Sequence, residues 1–314
     1  MNTEAKSIWQ GRFDGEGEEH RRFYQAISAQ ADVDFSLFGF ACDEGVRRNQ
    51  GRIGAAAAPD AIRRQLANFA LHHNIRITDK GNVSCEQGDL EGAQSVLAQK
   101  ITDTLAYHSM PIIFGGGHEV AFASFKGLFD YLQTQPQTGN IGIINIDAHF
   151  DLRQSDTASS GTPFLQAAQI LQQAGKSFHY LCLGIARHSN TAALFQTASA
   201  VNCRYLLDKE ITLMNLTFLK QQLEDFISPL DHLYLSIDLD AFPSSVAPGV
   251  SATAARGIDL AATEHVLEII CQSGKLRLFD IAEYNPKFDI EHRTAKLAAY
   301  LTYQLITYLQ TQEK

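Results

Sequence analysis

The stretch "IGIINIDAHFDLR" (residues 141–153) joins a short apolar, β-branched run to three closely spaced ionisable residues, Asp147, His149 and Asp151. An apolar run of this kind is typical of a strand that is buried on both faces. If the chain stays extended past the run, side chains at every second position share one face. Two carboxylates and an imidazole crowded at the end of a buried strand would each need a partner. A metal cation would serve all three.

Similar apolar runs recur along the chain and predict five further strands: Asp34–Ala41, Pro111–Gly117, His179–Ala186, His232–Asp240 and Leu276–Tyr284. Between the strands, apolar residues at three- and four-residue steps predict helices. These helices are Leu90–His108, Val120–Leu132, Pro163–Ala174, Leu216–Phe226, Leu260–Cys271 and Thr294–Leu309. Strands that alternate with helices indicate βαβ crossovers. The sequence therefore predicts an α/β fold with three αβα layers and a mainly parallel sheet.

The composition supports this fold and argues against several kinds of partner. The chain has 314 residues, of which 45% are hydrophobic and 19% are charged. Because α/β folds of this size often form one domain, residues 1–314 are predicted to be a single domain. The formal net charge is −9 and no basic block is present, which argues against nucleic acid and anionic membranes as partners.

The cysteines and the apolar segments indicate a location. The five cysteines are scattered and never in CxxC spacing, which favours free thiols in a reducing compartment. The N-terminal segment has no signal-peptide pattern, and no apolar run approaches the roughly 18 residues of a membrane span. The expected location is the cytoplasm.

Ionisable residues also follow three other predicted strands. His118 comes after three glycines, which permit unusual backbone angles and close approach. Asp238 and Asp240 close the segment "SIDLD", and Glu283 lies at the end of the last predicted strand. In parallel sheets, ligands bind outside the carboxyl ends of the strands. These residues are therefore expected to converge with the "DAHFD" segment.

The convergent set contains four carboxylates and two imidazoles, namely Asp147, Asp151, Asp238, Asp240, His118 and His149. Taken singly, each acid would be explained as a turn residue, and the histidine after the glycines as a loop residue. Two divalent cations balance four carboxylates, whereas one does not. Nitrogen and oxygen ligands without thiolate favour Mn²⁺, although zinc, cobalt and nickel remain alternatives. Two such ions activate a shared water at neutral pH, so the pattern predicts a hydrolase.

These segments resemble the motifs of the ureohydrolase family, which contains the arginases, the agmatinases and their relatives. The matching segments are "GGGH" (115–118), "DAHFD" (147–151) and "SIDLDAFPSSVAPGVSA" (236–252), in the family's order. The resemblance implies an arginase-like catalytic domain over residues 1–314, with a sheet of about eight strands. It also implies a cofactor of two Mn²⁺ ions per subunit and a homo-oligomer.

The resemblance also implies roles for individual residues. One manganese ion would be bound by His118, Asp147, Asp151 and Asp238. The other would be bound by Asp147, His149, Asp238 and Asp240. Glu283, in "DIAEYNP" (280–286), matches the acid that pairs with the cationic C–N group of the substrate.

Within the family, four segments resemble the branch that hydrolyses N-formimidoyl-L-glutamate to L-glutamate and formamide in histidine degradation. They are "WQGRFDGE" (9–16), "DEGVRRNQGRIGAAAAPDAIRR" (43–64), the "DLR" that ends at Arg153, and "GIARHSN" (184–190). Arginases and agmatinases usually carry a proton-shuttle histidine just before a glycine after the "DAHxD" motif. Ser160 stands there in this chain, before Gly161. This difference disfavours agmatinase or another guanidino-acid hydrolase that releases urea, which is the alternative.

A small substrate with an amidine-like cation and two carboxylates requires arginines, because a planar guanidinium pairs with carboxylates in a bidentate manner. Arg153 and Arg187 are predicted to bind the carboxylates, with Asn190 beside Arg187; the alternative is that both arginines are solvated surface residues. Because the shuttle histidine is missing, Asp151 is predicted to carry a proton to the leaving nitrogen. A different class, an inactive metal-binding regulator, remains as a second alternative. A mononuclear zinc deacetylase type would not explain four carboxylates.

Overall fold

The computed structural model describes residues 8–30 and 32–311, and its centre is a sheet of nine parallel strands. In chain order they are β1 Ile27–Ser28, β2 Phe35–Ala41, β3 Ile77–Ser84, β4 Met110–Phe114, β5 Ile141–Ile146, β6 His179–Ile185, β7 Arg204–Leu207, β8 His232–Asp238 and β9 Leu276–Ala282. Their order across the sheet is β1-β3-β2-β4-β9-β8-β5-β6-β7. The parallel α/β sheet predicted from the sequence is confirmed. The sheet has one strand more than the expected number of about eight. The additional strand is the edge strand β1, which pairs with β3 over two residues only.

The described residues form nine α-helices around this sheet. They are α1 Glu44–Arg48, α2 Ala58–Leu66, α3 Leu90–Ala106, α4 Val120–Gln133, α5 Pro163–Gln173, α6 Ala192–Ala200, α7 Leu216–Ile227, α8 Leu260–Gln272 and α9 Arg293–Gln310. Helices α2, α7, α8 and α9 share one hydrophobic core, and α3, α4, α5 and α6 share the other. None of the described helices combines the length and apolarity that crossing a bilayer requires.

Strand β5 shows why the apolar runs are continuous. Ile144 and Ile146 belong to the core on one side of the sheet, whereas Ile141 and Ile143 belong to the core on the other side. Every residue of the strand is buried. A strand that is covered on both faces cannot alternate apolar with polar residues, so the three-layer arrangement follows from the sequence pattern.

Some strands and helices were not predicted because their sequences lack the expected apolar pattern. Strand β3 reads "ITDKGNVS" and carries charged residues and Gly81, whose φ is +75°. Strand β7 has only four residues. Both lie towards the edges of the sheet, where burial is incomplete. Helices α2 and α6 have nine residues each and were also not predicted.

The strand order determines where the site forms. Strands β4, β9, β8 and β5 are direct neighbours in the middle of the sheet, although they are far apart in the sequence. Because all four run parallel, the segments that follow them meet at one edge. Those segments begin at Gly115, Glu283, Leu239 and Asp147.

Candidate metal centre

The glycines before His118 allow two loops to approach closely. A Cβ on Gly116 would lie 1.7 Å from the carbonyl oxygen of Cys42, and one on Gly117 would lie 2.1 Å from Oε2 of Glu119. The loop is fixed because Gly117 N–H donates to Cys42 O at 3.0 Å. None of the three glycines has a positive φ. Close approach, rather than an unusual backbone angle, is therefore the reason for the "GGG" sequence.

The "DAHFD" residues converge through a turn and not through a continuing strand. Strand β5 ends at Ile146, and the N–H of His149 donates to Oδ1 of Asp147 at 2.7 Å. Asp151 has a left-handed backbone, with φ +48°. The turn brings both His149 and Asp151 close to groups that contain Asp147. The alternation of an extended segment is therefore the wrong explanation for their proximity.

A second tight turn places the acids after β8. The strand ends at Asp238, and the N–H of Asp240 donates to Oδ1 of Asp238 at 2.8 Å within a single 3₁₀ turn, Leu239–Ala241. The carboxylate of Asp238 is thereby held by the backbone two residues away, and its Oδ2 remains available to a ligand.

The six predicted ligands form two adjacent groups. In the first, Nδ1 of His118 lies 2.9 Å from Asp151 Oδ2, 3.1 Å from Asp238 Oδ2 and 3.2 Å from Asp147 Oδ2. In the second, Nδ1 of His149 lies 3.0 Å from Asp240 Oδ2 and 3.5 Å from Asp147 Oδ1. Asp147 thus turns one oxygen towards each group, as a bridging ligand would. Asp238 falls in the first group only.

Two buried ligand atoms in these groups have no hydrogen-bond partner, and a bound cation would satisfy them. Among the described residues, His118 Nδ1 and Asp240 Oδ1 are buried and make no hydrogen bond. Burial raises the pKa of Asp238 well above its ordinary value, and the charges of Asp240 and Asp147 raise that pKa further. Buried carboxylates this close together cannot all stay ionised without a compensating positive charge. The donor set therefore fits a pair of divalent cations.

A chain of hydrogen bonds behind His118 fixes the orientation of its ring. Ser236 Oγ donates to Oδ1 of Asp280 at 2.6 Å, and Tyr234 donates to the other oxygen at 2.6 Å. The serine oxygen then accepts from Nε2 of His118 at 2.9 Å. The proton is consequently on Nε2, and the lone pair of Nδ1 points towards the carboxylates. Ser236 and Asp280 were not predicted as functional residues, although a polar serine and an aspartate within apolar strands are a usable sequence signal.

A cavity of about 330 Å³ opens above the ligands. Its walls are formed by five of the six predicted ligands (His118, His149, Asp151, Asp238 and Asp240) together with Val46, Asn49, Gln50, Gly51, Arg52, Arg153, Ser160, Ser251, Ala252 and Glu283. A larger cavity of about 610 Å³ lies at the amino ends of β4, β8 and β9 and contains none of the ligands. The smaller cavity is the candidate active site because it contains the buried ionisable groups.

Glu283 is held in this cavity by an uncommon backbone conformation. Its φ is +65°, and its Oε1 accepts from the backbone N–H of His118 at 2.9 Å. Burial and, to a smaller extent, the charge of Glu119 together raise the pKa of Glu283 to about 8. A cation placed against this carboxyl group would favour the ionised form, which suits the predicted pairing with a cationic substrate group.

The predicted substrate contacts have different outcomes. Arg153 lines the cavity, and Gly161 leaves room for it, because a Cβ there would lie 2.7 Å from its Cδ. Arg187 is exposed, lies 5.4 Å from the ring centroid of Phe195 and does not line the cavity. The prediction that Arg187 contacts the substrate is corrected accordingly.

Asn190 has a structural role. Its Nδ2 donates to Ala148 O and to Ala186 O, both at 2.9 Å, and its Oδ1 accepts from the N–H of Phe150 at 3.1 Å. Both amide hydrogens are used and the side chain is buried. The polar atoms of Asn190, which was predicted to bind the substrate, hold the backbone of the "DAHFD" turn in this structure.

A parallel α/β sheet with a buried cluster of histidines and aspartates at its carboxyl edge defines the class of metal-dependent hydrolases. The chain belongs to the arginase family, whose sequence profile matches residues 33–307. The family resemblance seen in the motifs is thus confirmed over residues 33–307.

Several known proteins are similar to this chain. The formimidoylglutamase of Aeromonas salmonicida is 49% identical over 306 residues, covering 95% of this chain and 96% of its own length. The formimidoylglutamase of Ralstonia nicotianae is 46% identical over 314 residues, covering 98% and 97%. The formiminoglutamase of Trypanosoma cruzi, solved with two Mn²⁺ ions, has 27% identity and a TM-score of 0.80, covering 93% of this chain and 98–99% of its own.

Proposed function

We propose that this protein hydrolyses N-formimidoyl-L-glutamate to L-glutamate and formamide. The observation that carries the proposal is the combination, in one cavity, of Glu283, the guanidinium of Arg153 and five of the six predicted metal ligands, while the sixth, Asp147, belongs to both ligand groups. Relatives named formimidoylglutamase at 43–49% identity support it. Agmatine is disfavoured because its free end is an amine, which the positive charge of Arg153 would repel.

The cofactor that we assign is two Mn²⁺ ions, held by His118, Asp147, Asp151, Asp238, His149 and Asp240. When bound, a pair of divalent ions supplies the activation of water as a nucleophile at neutral pH. The orphaned Nδ1 of His118 and Oδ1 of Asp240 would become ligand atoms. The Mn²⁺ ions in the Trypanosoma cruzi relative support this choice of metal.

The residues of the chain bind and orient the substrate around this water. Glu283 pairs with the cationic formimidoyl nitrogen through the carboxylate oxygen that is not bonded to His118. Arg153 binds a substrate carboxylate. The water oxygen bonds to the formimidoyl carbon, and the bond from that carbon to the glutamate nitrogen breaks. The carbon keeps its other nitrogen and leaves as formamide, while the glutamate nitrogen takes a proton.

Asp151 is the residue that we propose to carry this proton. Its side chain is 12% exposed, compared with 0% for Asp147, 3% for Asp238 and 5% for Asp240. It is therefore the acid of the cluster with the best access to the cavity. A leaving amine of low basicity needs less protonation, so the rate penalty of Asp151→Asn should shrink for such substrates at equal Mn²⁺ occupancy. An unchanged penalty would exclude this role.

The experiment that tests the function is a comparison of substrates. The Mn²⁺-loaded protein is incubated separately with N-formimidoyl-L-glutamate, agmatine and arginine, and formamide, ammonia and urea are assayed. We expect formamide from the first substrate only, and none after chelation. Urea from agmatine or arginine would refute the proposal, and so would ammonia in place of formamide, because ammonia requires that the other C–N bond breaks.

Two further properties stay predictions. We propose the cytoplasm as the location, because all five cysteines are free thiols and disulfides are rare in that compartment. We also propose that the chain assembles with copies of itself, which sedimentation of the purified protein would test.

A further inference from the structure

A second guanidinium, that of Arg52, lies on the wall of the metal cavity. Arg52 belongs to the segment that follows β2, and it lines the same cavity as Glu283 and Arg153. Its side-chain hydrogen bonds go to two backbone carbonyls, Ser251 O at 2.9 Å and Val250 O at 2.5 Å. Within the described part of the chain, neither Arg52 nor Arg153 forms an ion pair with a carboxylate. Both positive charges are thus uncompensated beside the cavity.

The geometry of Arg52 leaves one edge of its guanidinium available. Nε and one hydrogen of Nη2 are used by the two carbonyls. Of the five N–H donors of an arginine, three therefore remain, all on Nη1 and Nη2. These two nitrogens form the end-on fork, which matches the two oxygens of a carboxylate. Because the carbonyl partners are neutral, they orient the group without cancelling its charge.

The position of Arg52 is also rigid. Its backbone N–H donates to Ser251 Oγ at 2.8 Å, and its carbonyl accepts from Asn285 Nδ2 at 2.9 Å. Its guanidinium carbon lies 3.8 Å from the ring centroid of Phe288. A side chain that is already held in place loses little conformational entropy when it binds a ligand. These contacts are what a preorganised anion receptor requires.

The two arginines are attached near opposite ends of the row of strands β4, β9, β8 and β5, whose following segments form the site. Arg52 follows β2, and Arg153 follows β5, while β4, β9 and β8 lie between these two strands in the sheet. The attachment points of the two arginines therefore flank the ligand cluster, and both residues line its cavity. This arrangement suits a substrate with two separate carboxylates.

We propose that Arg52 binds one carboxylate of the substrate while Arg153 binds the other, so that the pair selects dicarboxylic formimidoyl substrates. This inference rests on the proposed function and extends it. The sequence motifs assigned the second carboxylate to Arg187, and Arg52 takes that role here.

The test uses three substrates and matched arginine variants. The substrates are N-formimidoyl-L-glutamate, its analogue without the α-carboxylate (N-formimidoyl-4-aminobutanoate) and its analogue without the side-chain carboxylate (N-formimidoyl-2-aminobutanoate). The variants are Arg52→Gln, Arg52→Lys and Arg153→Gln. The control is Arg187→Gln, since Arg187 is an exposed arginine beside an aromatic ring but outside the cavity.

We expect Arg52→Gln to lower kcat/KM for the full substrate about 10- to 100-fold, mainly through KM, because a charge-assisted hydrogen bond is lost. For one of the two analogues the effect should be less than about twofold, and Arg153→Gln should show the opposite analogue preference. Arg52→Lys, which keeps the charge but not the fork, should give an intermediate loss.

Two results would overturn the inference while leaving the proposed function intact. One is an equal loss on all three substrates, which would mean that Arg52 only supports the loop. The other is a loss no larger than that of Arg187→Gln. If the wild-type protein releases formamide from none of the three substrates, the proposed function fails, and this inference fails with it.

Discussion

Ser236 connects the fold to the metal centre, and its replacement by alanine gives a quantitative test. Its Oγ makes two buried hydrogen bonds, at 2.9 Å to Nε2 of His118 and at 2.6 Å to Oδ1 of Asp280. Ser236→Ala leaves both partners without that bond. A buried polar group left unsatisfied costs about 1–3 kcal/mol, so the unfolding free energy of the metal-free protein should fall by that order.

The metal-loaded protein should lose more stability than the metal-free protein. Without Ser236, nothing selects the His118 tautomer whose Nδ1 faces the carboxylates. Loss of such a partner typically lowers metal affinity 10- to 100-fold, which corresponds to about 1.4–2.7 kcal/mol. Because a ligand that binds the native state stabilises it in proportion to its affinity, this loss adds to the first.

The assay combines Mn²⁺ titration calorimetry with denaturant unfolding, in the presence and absence of the metal. Ser36→Ala is the matched control, because Ser36 is a buried serine at the amino end of β2 whose Oγ lies 2.9 Å from that of Ser109. The control should destabilise the metal-free protein to a similar extent and leave Mn²⁺ affinity unchanged. Equal Mn²⁺ dissociation constants for the two variants would refute the role assigned to Ser236.

Three other perturbations have distinct expected outcomes. Gly116→Ala places a Cβ 1.7 Å from Cys42 O, so the loop that carries His118 must move. We therefore expect kcat to fall at least ~100-fold, and wild-type kinetics would refute the argument that Gly116 is required for close approach of the two loops. Asn190→Ala removes three buried hydrogen bonds and should lower the unfolding free energy by about 2–4 kcal/mol. It should also weaken Mn²⁺ binding, while KM measured at saturating Mn²⁺ should be nearly unchanged. A change in KM alone would instead indicate that Asn190 contacts the substrate. Glu283→Gln removes the charge that pairs with the formimidoyl cation and should lower kcat/KM roughly 100-fold at normal Mn²⁺ occupancy, whereas unchanged kcat/KM would exclude that pairing.

The convergence of the proposed metal ligands was predictable because two simple rules combine. Continuous apolar runs identified the strands that end at the site, and parallel strands place their carboxyl ends at one edge. His118, Asp147 and Asp238 follow or close three different strands, so their convergence required no knowledge of the loops. The same reasoning placed Glu283 in the cavity.

The local geometry was not predictable in the same way. Asp151 and Glu283 both have positive φ angles, +48° and +65°. Such conformations are uncommon for residues other than glycine, and they persist when surrounding contacts determine them. For Glu283 those contacts include the hydrogen bond from its N–H to Gly116 O at 2.8 Å. The information resides in contacts between distant segments, which the residue pattern of one segment does not show.

Arg52 and Arg187 show that the position of a residue in the strand order is not enough to predict a substrate contact. Arg52 follows β2, which is the neighbour of β4, and Arg187 follows β6, which is the neighbour of β5. Each arginine follows a strand that lies next to the four central strands, so the strand order alone gives both the same expectation of contacting the substrate. The hydrogen bonds made by the two loops distinguish Arg52 from Arg187.

The loop that carries Arg52 is bonded to both of its neighbours across the cavity. Arg48 donates to Ala158 O at 3.1 Å and Asn49 donates to Ser160 Oγ at 3.1 Å, while Arg52 reaches Ser251 on the other side. The loop after β6 instead directs Asn190 at the backbone of the "DAHFD" turn. One loop therefore forms the wall of the cavity, and the other supports the metal ligands from outside. Substrate selection should accordingly follow changes in the first loop, and metal retention should follow changes in the second.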